Sequence, residues 1–353
     1  MGVRGFFSNA KLSAEERIAD WRDDFDSGGM MIKAIVVFLI ICLLGIAAFG
    51  FYWSKSPEIF SVRDLAAVQS GGKTPMKGVA STATLIKVSS TLLDKRGGLL
   101  SNDLMSPGAW LDNMPHWEYG VLIQVRDMNK AMREAFSRSQ SQSTEDTSLA
   151  LAESRFNFDH DSWAIPASES EYREGIKFLN EYLDRLQDED QHNAQFFARA
   201  DNLRYWLSTV ETRLGSLSQR LSASVGQRRL NTDLAGEERA TQSTRAPSEL
   251  EVKTAWLEID DVFYEARGST WAILHFLKAI EVDFADVLEQ KNAGVSLQQI
   301  VRELESTQEK IYSPMVLNGD GFGFLANHSL VMASYISRAN AAIIDLRELL
   351  LKG

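Results

Sequence analysis

The chain has 353 residues, with 37 Lys+Arg against 48 Asp+Glu and a formal charge of −11. Residues 54–353 carry 32 basic and 42 acidic side chains with no basic cluster, which excludes nucleic acid and argues against an anionic lipid surface as partners. Cys42 is the single cysteine, so no intrachain disulfide supports the fold and stability must come from an apolar core.

In chain order, residues 1–31 read as a cytoplasmic tail. Ser13 and Glu16 form a capping-box pair, and Ala14, Ile18, Trp21 and Phe25 share one face opposite an acidic one. Ala34 to Trp53 (AIVVFLIICLLGIAAFGFYW) contains no charge over 20 residues. At about 1.5 Å per residue this run spans the roughly 30 Å hydrocarbon slab of a bilayer. Tyr52 and Trp53 stand where interfacial aromatics belong, with Lys33 at the opposite edge. A cleaved signal peptide fits less well, because the run is too long, a polar tail precedes it and no small-x-small site follows. Residues 32–53 are therefore expected to be a transmembrane helix with the lipid bilayer as its partner. Arg4, Lys11, Arg17, Arg22 and the edge residue Lys33 lie on its N-terminal side, whereas Lys55, Arg63 and Lys73 are the only bases in the twenty residues after it. This bias puts the N-terminus inside a bacterial inner membrane and residues 54–353 in the periplasm.

Residues 54–78 read as a juxtamembrane linker, with a short helical stretch from Ile59 to Val68 and a joint from Gln69 to Gly78. Residues 79–353 then carry repeated apolar stripes at four-three spacing. The first is Val79, Ala83, Ile86, Ser90, Leu93, and the second Val121, Val125, Met128, Met132, Phe136. A third runs Tyr172 to Leu186 behind a Ser168/Glu171 capping box, and a fourth runs from Phe196 through Leu203, Leu207, Val210, Leu214 and Leu217 to Leu221. Residues 226–247 are polar and unpatterned, a loop. Ser248 with Glu251 predicts the start of a helix of roughly 40 residues from Val252 to Val287, with Gly268 as its weak point. Ser296 with Gln299 opens a shorter one, and a last stripe runs Leu325 to Leu350. No strand is predicted. The stripes are too narrow for helices buried all round, so the fold class is all-α: one transmembrane helix, then a bundle of long antiparallel helices.

Candidate chemistry is sparse. His116, His160, His192, His275 and His328 are scattered without metal-ligand spacing, and no metal or cofactor is expected. Glu153-Ser154-Arg155-Phe156-Asn157 resembles the Glu-Ser-x-aromatic-Asn segment of lytic transglycosylases, which implies Glu153 as a general acid/base held protonated in an apolar pocket. Phe158 departs from that pattern, and its Gly-Leu-Met-Gln run is absent. Gly98 to Gln142, together with FNFDHDSW (156–163) and ESEYREGIKFLNEY (169–182), resembles a proteobacterial domain-of-unknown-function family, number 2333. That resemblance implies an anchor and one exported helical domain, with no activity or catalytic residue attached.

Three roles follow: an envelope scaffold or partner-binding module, a peptidoglycan-acting enzyme using Glu153, and a transmembrane sensor. About thirty residues ahead of the anchor are too few for a sensor's output domain. The partner-binding reading is preferred, with an envelope protein as partner and the oligomeric state open. Trp110 to Trp117 (WLDNMPHW) reads as a loop pairing large aromatics with polar groups, the residue types that anchor interfaces. The candidate contact residues are Trp110, Asp112, Asn113, Trp117, Arg126 and Arg138. The competing reading has both tryptophans plugging the bundle end.

Overall fold

The computed structural model describes residues 30–138, 145–188, 193–230, 249–313, 315–320 and 323–352, with backbone alone at 30, 31 and 229. The capping-box pair in the N-terminal tail lies outside them. The chain divides into two units between Trp53 and Ser54. In the first, α1 (Met30–Trp53) is long and apolar enough to cross a membrane. Its side chains are mostly exposed, as hydrocarbon-facing side chains would be and as those of a soluble core helix would not.

The second unit consists of α2 (Val62–Gln69), α3 (Val79–Asp94), α4 (Asn113–Ala131), α5 (Thr147–Phe156), α6 (Ser168–Gln187), α7 (Ala200–Ser222), α8 (Ile259–Asp283), α9 (Ala285–Gln290), α10 (Gly294–Ser306) and α11 (His328–Leu351). The all-α expectation holds. Its centre is the pair α4 and α8. Residue pairs advance together along it, from His116 with Asp261 to Phe136 with Phe284, so these two helices run parallel. The neighbours around them are antiparallel: Glu211 meets Arg347 while Ser218 meets the Ala333 carbonyl between α7 and α11. Asp146 likewise meets Arg185 and Glu171 meets Arg155 across α5 and α6.

The stripes on α7 and α11 are buried as expected, with Leu203, Leu207, Val210, Leu214, Leu217 and Leu221 on one and Met332, Ile336, Ala339, Ile343, Leu346 and Leu350 on the other. Two central helices depart from the narrow-stripe expectation. On α3 every residue from Val79 to Leu85 is buried, and on α8 every residue from Ala266 to Leu277. Both are enclosed by several helices at once, and small or hydroxylated residues such as Ala80, Ser81, Thr84, Ser269 and Thr270 let them be. α4 and α8 approach most closely at glycines, with Ser269 Oγ donating to the Gly120 carbonyl at 3.1 Å.

Several expected boundaries are corrected. Residues 227–230 are a strand, β1, paired antiparallel with β2 (249–252), so the predicted loop is shorter; residues 231–247 lie outside the described part. Glu251 sits in β2 and not in a capping box. The single long helix is broken into a 3-10 turn at Trp256–Glu258, then α8, then α9. Ser168 is the first residue of α6 and donates to the Asp159 and Ser162 carbonyls instead of capping. Ser296 lies inside α10. The short helix α5, unpredicted, is capped by Asp146, whose carboxylate accepts the N–H groups of Ser148 and Leu149. Val62 and Ala66 on α2 are buried against Ala80 and Ala279, so the stretch expected as linker packs into the compact unit.

Buried polar groups tie these pieces together. Asp283 accepts the Ser81 N–H at 2.7 Å in the first turn of α3, where a carboxylate complements unpaired N–H groups; burial nevertheless pushes its carboxyl up to about 6. Glu118 accepts the Leu100 and Ser101 N–H groups and pairs with Lys95, fixing the loop after α3 to α4. His275 Nδ1 meets the Trp271 carbonyl at 2.7 Å, leaving Nε2 to accept the Phe60 N–H at 3.1 Å. Burial pushes this imidazole down to about 4, so the ring is neutral at pH 7 and holds the segment before α2 against α8.

Candidate functional site

The structure separates the residues that the sequence grouped. Trp110 ends a 3-10 turn, Gly108–Trp110, and is 67% exposed, whereas Trp117 is 0% exposed. Helix α4 begins at Asn113, so Trp117 is not in a loop; it packs on Trp271 with ring centroids 5.3 Å apart. Trp117 is thereby corrected from contact residue to core residue. Asp112 is the exposed N-cap of α4 and accepts the Asn113 N–H. Arg126 is occupied within the fold, donating to the Phe156 and Phe158 carbonyls at 2.7 and 2.8 Å. Arg138 lies beyond the far end of α4, paired with Glu145 at 3.5 Å. Only Trp110, Asp112 and Asn113 stay together.

Glu153, on α5, is paired with Arg133 at 2.5 Å, and Arg133 also meets Glu134 and Glu145. This ion pair turns the carboxylate toward Arg133 within the fold. Where the transglycosylase resemblance implies an apolar pocket, the Glu153 carboxylate instead joins a charged cluster centred on Arg133.

A more developed site lies where α8, the end of α10 and the start of α11 meet, in a cleft of ≈ 300 Å³. Phe263 and Arg267 stand one helical turn apart on α8 and share a face. Opposite them, α10 ends at Ser306, its last carbonyls are taken by the N–H groups of Thr307, Gln308 and Glu309, and this closing turn presents carbonyls of its own. Arg267 takes these up, donating to the Thr307, Gln308 and Glu309 carbonyls at 3.4, 2.9 and 2.9 Å. Gln308 returns hydrogen bonds to the Arg267 carbonyl and Thr270 Oγ1, so the end of α10 is clamped onto α8.

Arg267 is only 9% exposed, and burial pulls its guanidinium below the usual range. Its acceptors are neutral carbonyls; among the described residues no carboxylate pairs with it. From α11 come His328, Val331, Met332 and Tyr335. His328 Nδ1 accepts the Leu317 N–H at 3.0 Å, leaving Nε2 as the protonated nitrogen, and burial lowers its basicity. Among the described residues no hydroxyl of the cleft is hydrogen-bonded to this histidine, so the arrangement offers binding groups and not an activated nucleophile. Sequence inspection missed the cleft because Arg267 belongs to no local motif and its acceptors are about forty residues away.

Comparison with curated proteins and with solved structures gives no match. The family model described as "Uncharacterized protein conserved in bacteria (DUF2333)" matches residues 26–353, in agreement with the resemblance read from Gly98 to Gln142. The chain belongs to that family.

Proposed function

We propose that this chain is a single-span protein of the bacterial inner membrane that displays residues 54–353 in the periplasm as a helical module for binding an envelope protein. The observation that carries the reading is α1, an apolar helix free of charge from Ala34 to Trp53 and followed in the chain by one compact helical unit. The excess of bases ahead of α1 supports export of that unit. A domain without cysteine, which an oxidising compartment cannot modify by disulfide exchange, fits the same placement. For the binding role, support comes from Trp110, a large aromatic left exposed beside Asp112.

Two measurements test it. A reporter active only in the cytoplasm, fused after Gly353, is expected to be silent, and one active only in the periplasm to be on; the reverse pattern rejects the topology. A photo-crosslinking residue at position 110 is expected to trap one envelope protein in intact cells. Loss of that adduct at a control position such as 177, with retention at 110, supports a specific contact, and equal labelling at both rejects it.

A further inference from the structure

We propose that the cleft between α8, the end of α10 and the start of α11 binds a small organic monocarboxylate with an apolar body, its carboxylate set against Arg267. This inference does not depend on membrane topology or on the Trp110 surface. The first support is charge. A guanidinium that is nine-tenths buried is held by three carbonyls at a helix end, which supply only partial negative charge. Three of its five N–H donors are used; one Nη1 hydrogen and the Nε hydrogen have no partner among the described residues. A buried cation without a counter-ion is costly, and Arg267 lines an accessible cleft that an anion can enter.

The second support is the rest of the wall. Phe263 and Met332 are buried, Val331 and Tyr335 come from α11, and Ile311 also lines the cleft. These surfaces suit an apolar group, and ≈ 300 Å³ lies at the small end of ligand-pocket sizes. Lys310 and Glu309 are both exposed at the rim and cancel formally, so Arg267 alone sets the charge the interior can neutralise. A monoanion is matched by that one cation, whereas a dianionic phosphate would leave surplus charge against apolar walls. The free N–H groups also suit carboxylate oxygens, to which charged donors bond at short range.

The test uses the full chain purified in detergent and titrates phenylacetate by calorimetry, with its neutral isostere phenylacetamide and inorganic phosphate as comparisons. Saturable binding of one phenylacetate per chain is expected, with phenylacetamide at least about tenfold weaker and phosphate unable to compete, since one charged hydrogen bond is worth about that factor or more. Val331→Trp should fill the cleft and abolish binding without moving the melting temperature, because Val331 is 54% exposed. Arg267→Lys should weaken phenylacetate at least about tenfold while leaving phenylacetamide unchanged. If Arg267→Lys does not fold, Val331→Trp decides alone. No binding of phenylacetate, equal binding of phenylacetamide, competition by phosphate, or unchanged binding in Val331→Trp would each overturn the proposal and leave Arg267 as a clamp for the end of α10.

Discussion

A β-carbon on Gly268 would lie 2.0 Å from the carbonyl oxygen of Trp117, and one on Gly120 would lie 2.1 Å from the carbonyl oxygen of Glu265. The central helices α4 and α8 therefore touch backbone to backbone, and each glycine is where the other helix passes. Helix propensity alone would make Gly268→Ala stabilising by up to about 1 kcal/mol. The contact reverses that sign: because the obstructing atom is backbone, the helices must separate, with the loss of about 1–3 kcal/mol typical of overpacking. Denaturant unfolding of Gly268→Ala decides between the two signs.

Leu207 is fully buried in the α7 stripe that packs on α11. Leu207→Asp should cost more than about 4 kcal/mol, since it removes apolar burial and leaves a carboxylate without a partner. Stability within about 0.5 kcal/mol of wild type, the range for surface changes, would place that face outside the core.

His275 should make stability sensitive to acid. Its unfolded value near 6.5 drops to about 4 in the fold, so the unfolded chain takes up the proton first. The stability that depends on neutral His275 is complete above 6.5 and falls as pH drops from there towards 4, by about 3 kcal/mol in full. Asp283, pushed up to about 6 from 3.8, titrates with the opposite slope: its buried charge is costly above 6, and protonation relieves that cost as pH falls towards 3.8. A wild-type curve alone therefore understates the histidine. Unfolding free energies at pH 7.5, 6 and 5 are expected to converge between wild type and His275→Phe as acid is added, because the variant lacks the imidazole's slope. A constant gap across that range would refute the assignment.

The two tryptophans of residues 110–117 should behave differently. Trp117→Ala is expected to cost about 3–5 kcal/mol, the range for a buried aromatic, and to lower the melting temperature by many degrees. Trp110→Ala should stay within about 0.5 kcal/mol and weaken only co-purification of the envelope partner. A large melting shift in Trp110→Ala would assign that side chain a packing role.

Local chemistry in the sequence was enough for α1, for the helical class and for the buried faces of α7 and α11. A charge-free run of sufficient length has one solution in lipid, and a helix that packs one face against its neighbours writes that face as a four-three stripe. The same logic failed at α3 and α8, because a periodicity records which side is apolar and not how many neighbours surround the helix. It failed at Ser168, Glu251 and Ser296, where a two-residue capping signature occurs without the backbone turn that gives it meaning. Trp110 and Trp117 look alike in sequence, and only the start of α4 at Asn113 turns one inward and leaves the other in solvent. Arg267 needs the end of α10 beside it before its charge has any meaning, and Gly120 and Gly268 need each other's helix. These features depend on distances between segments far apart in the chain, and packing alone sets such distances.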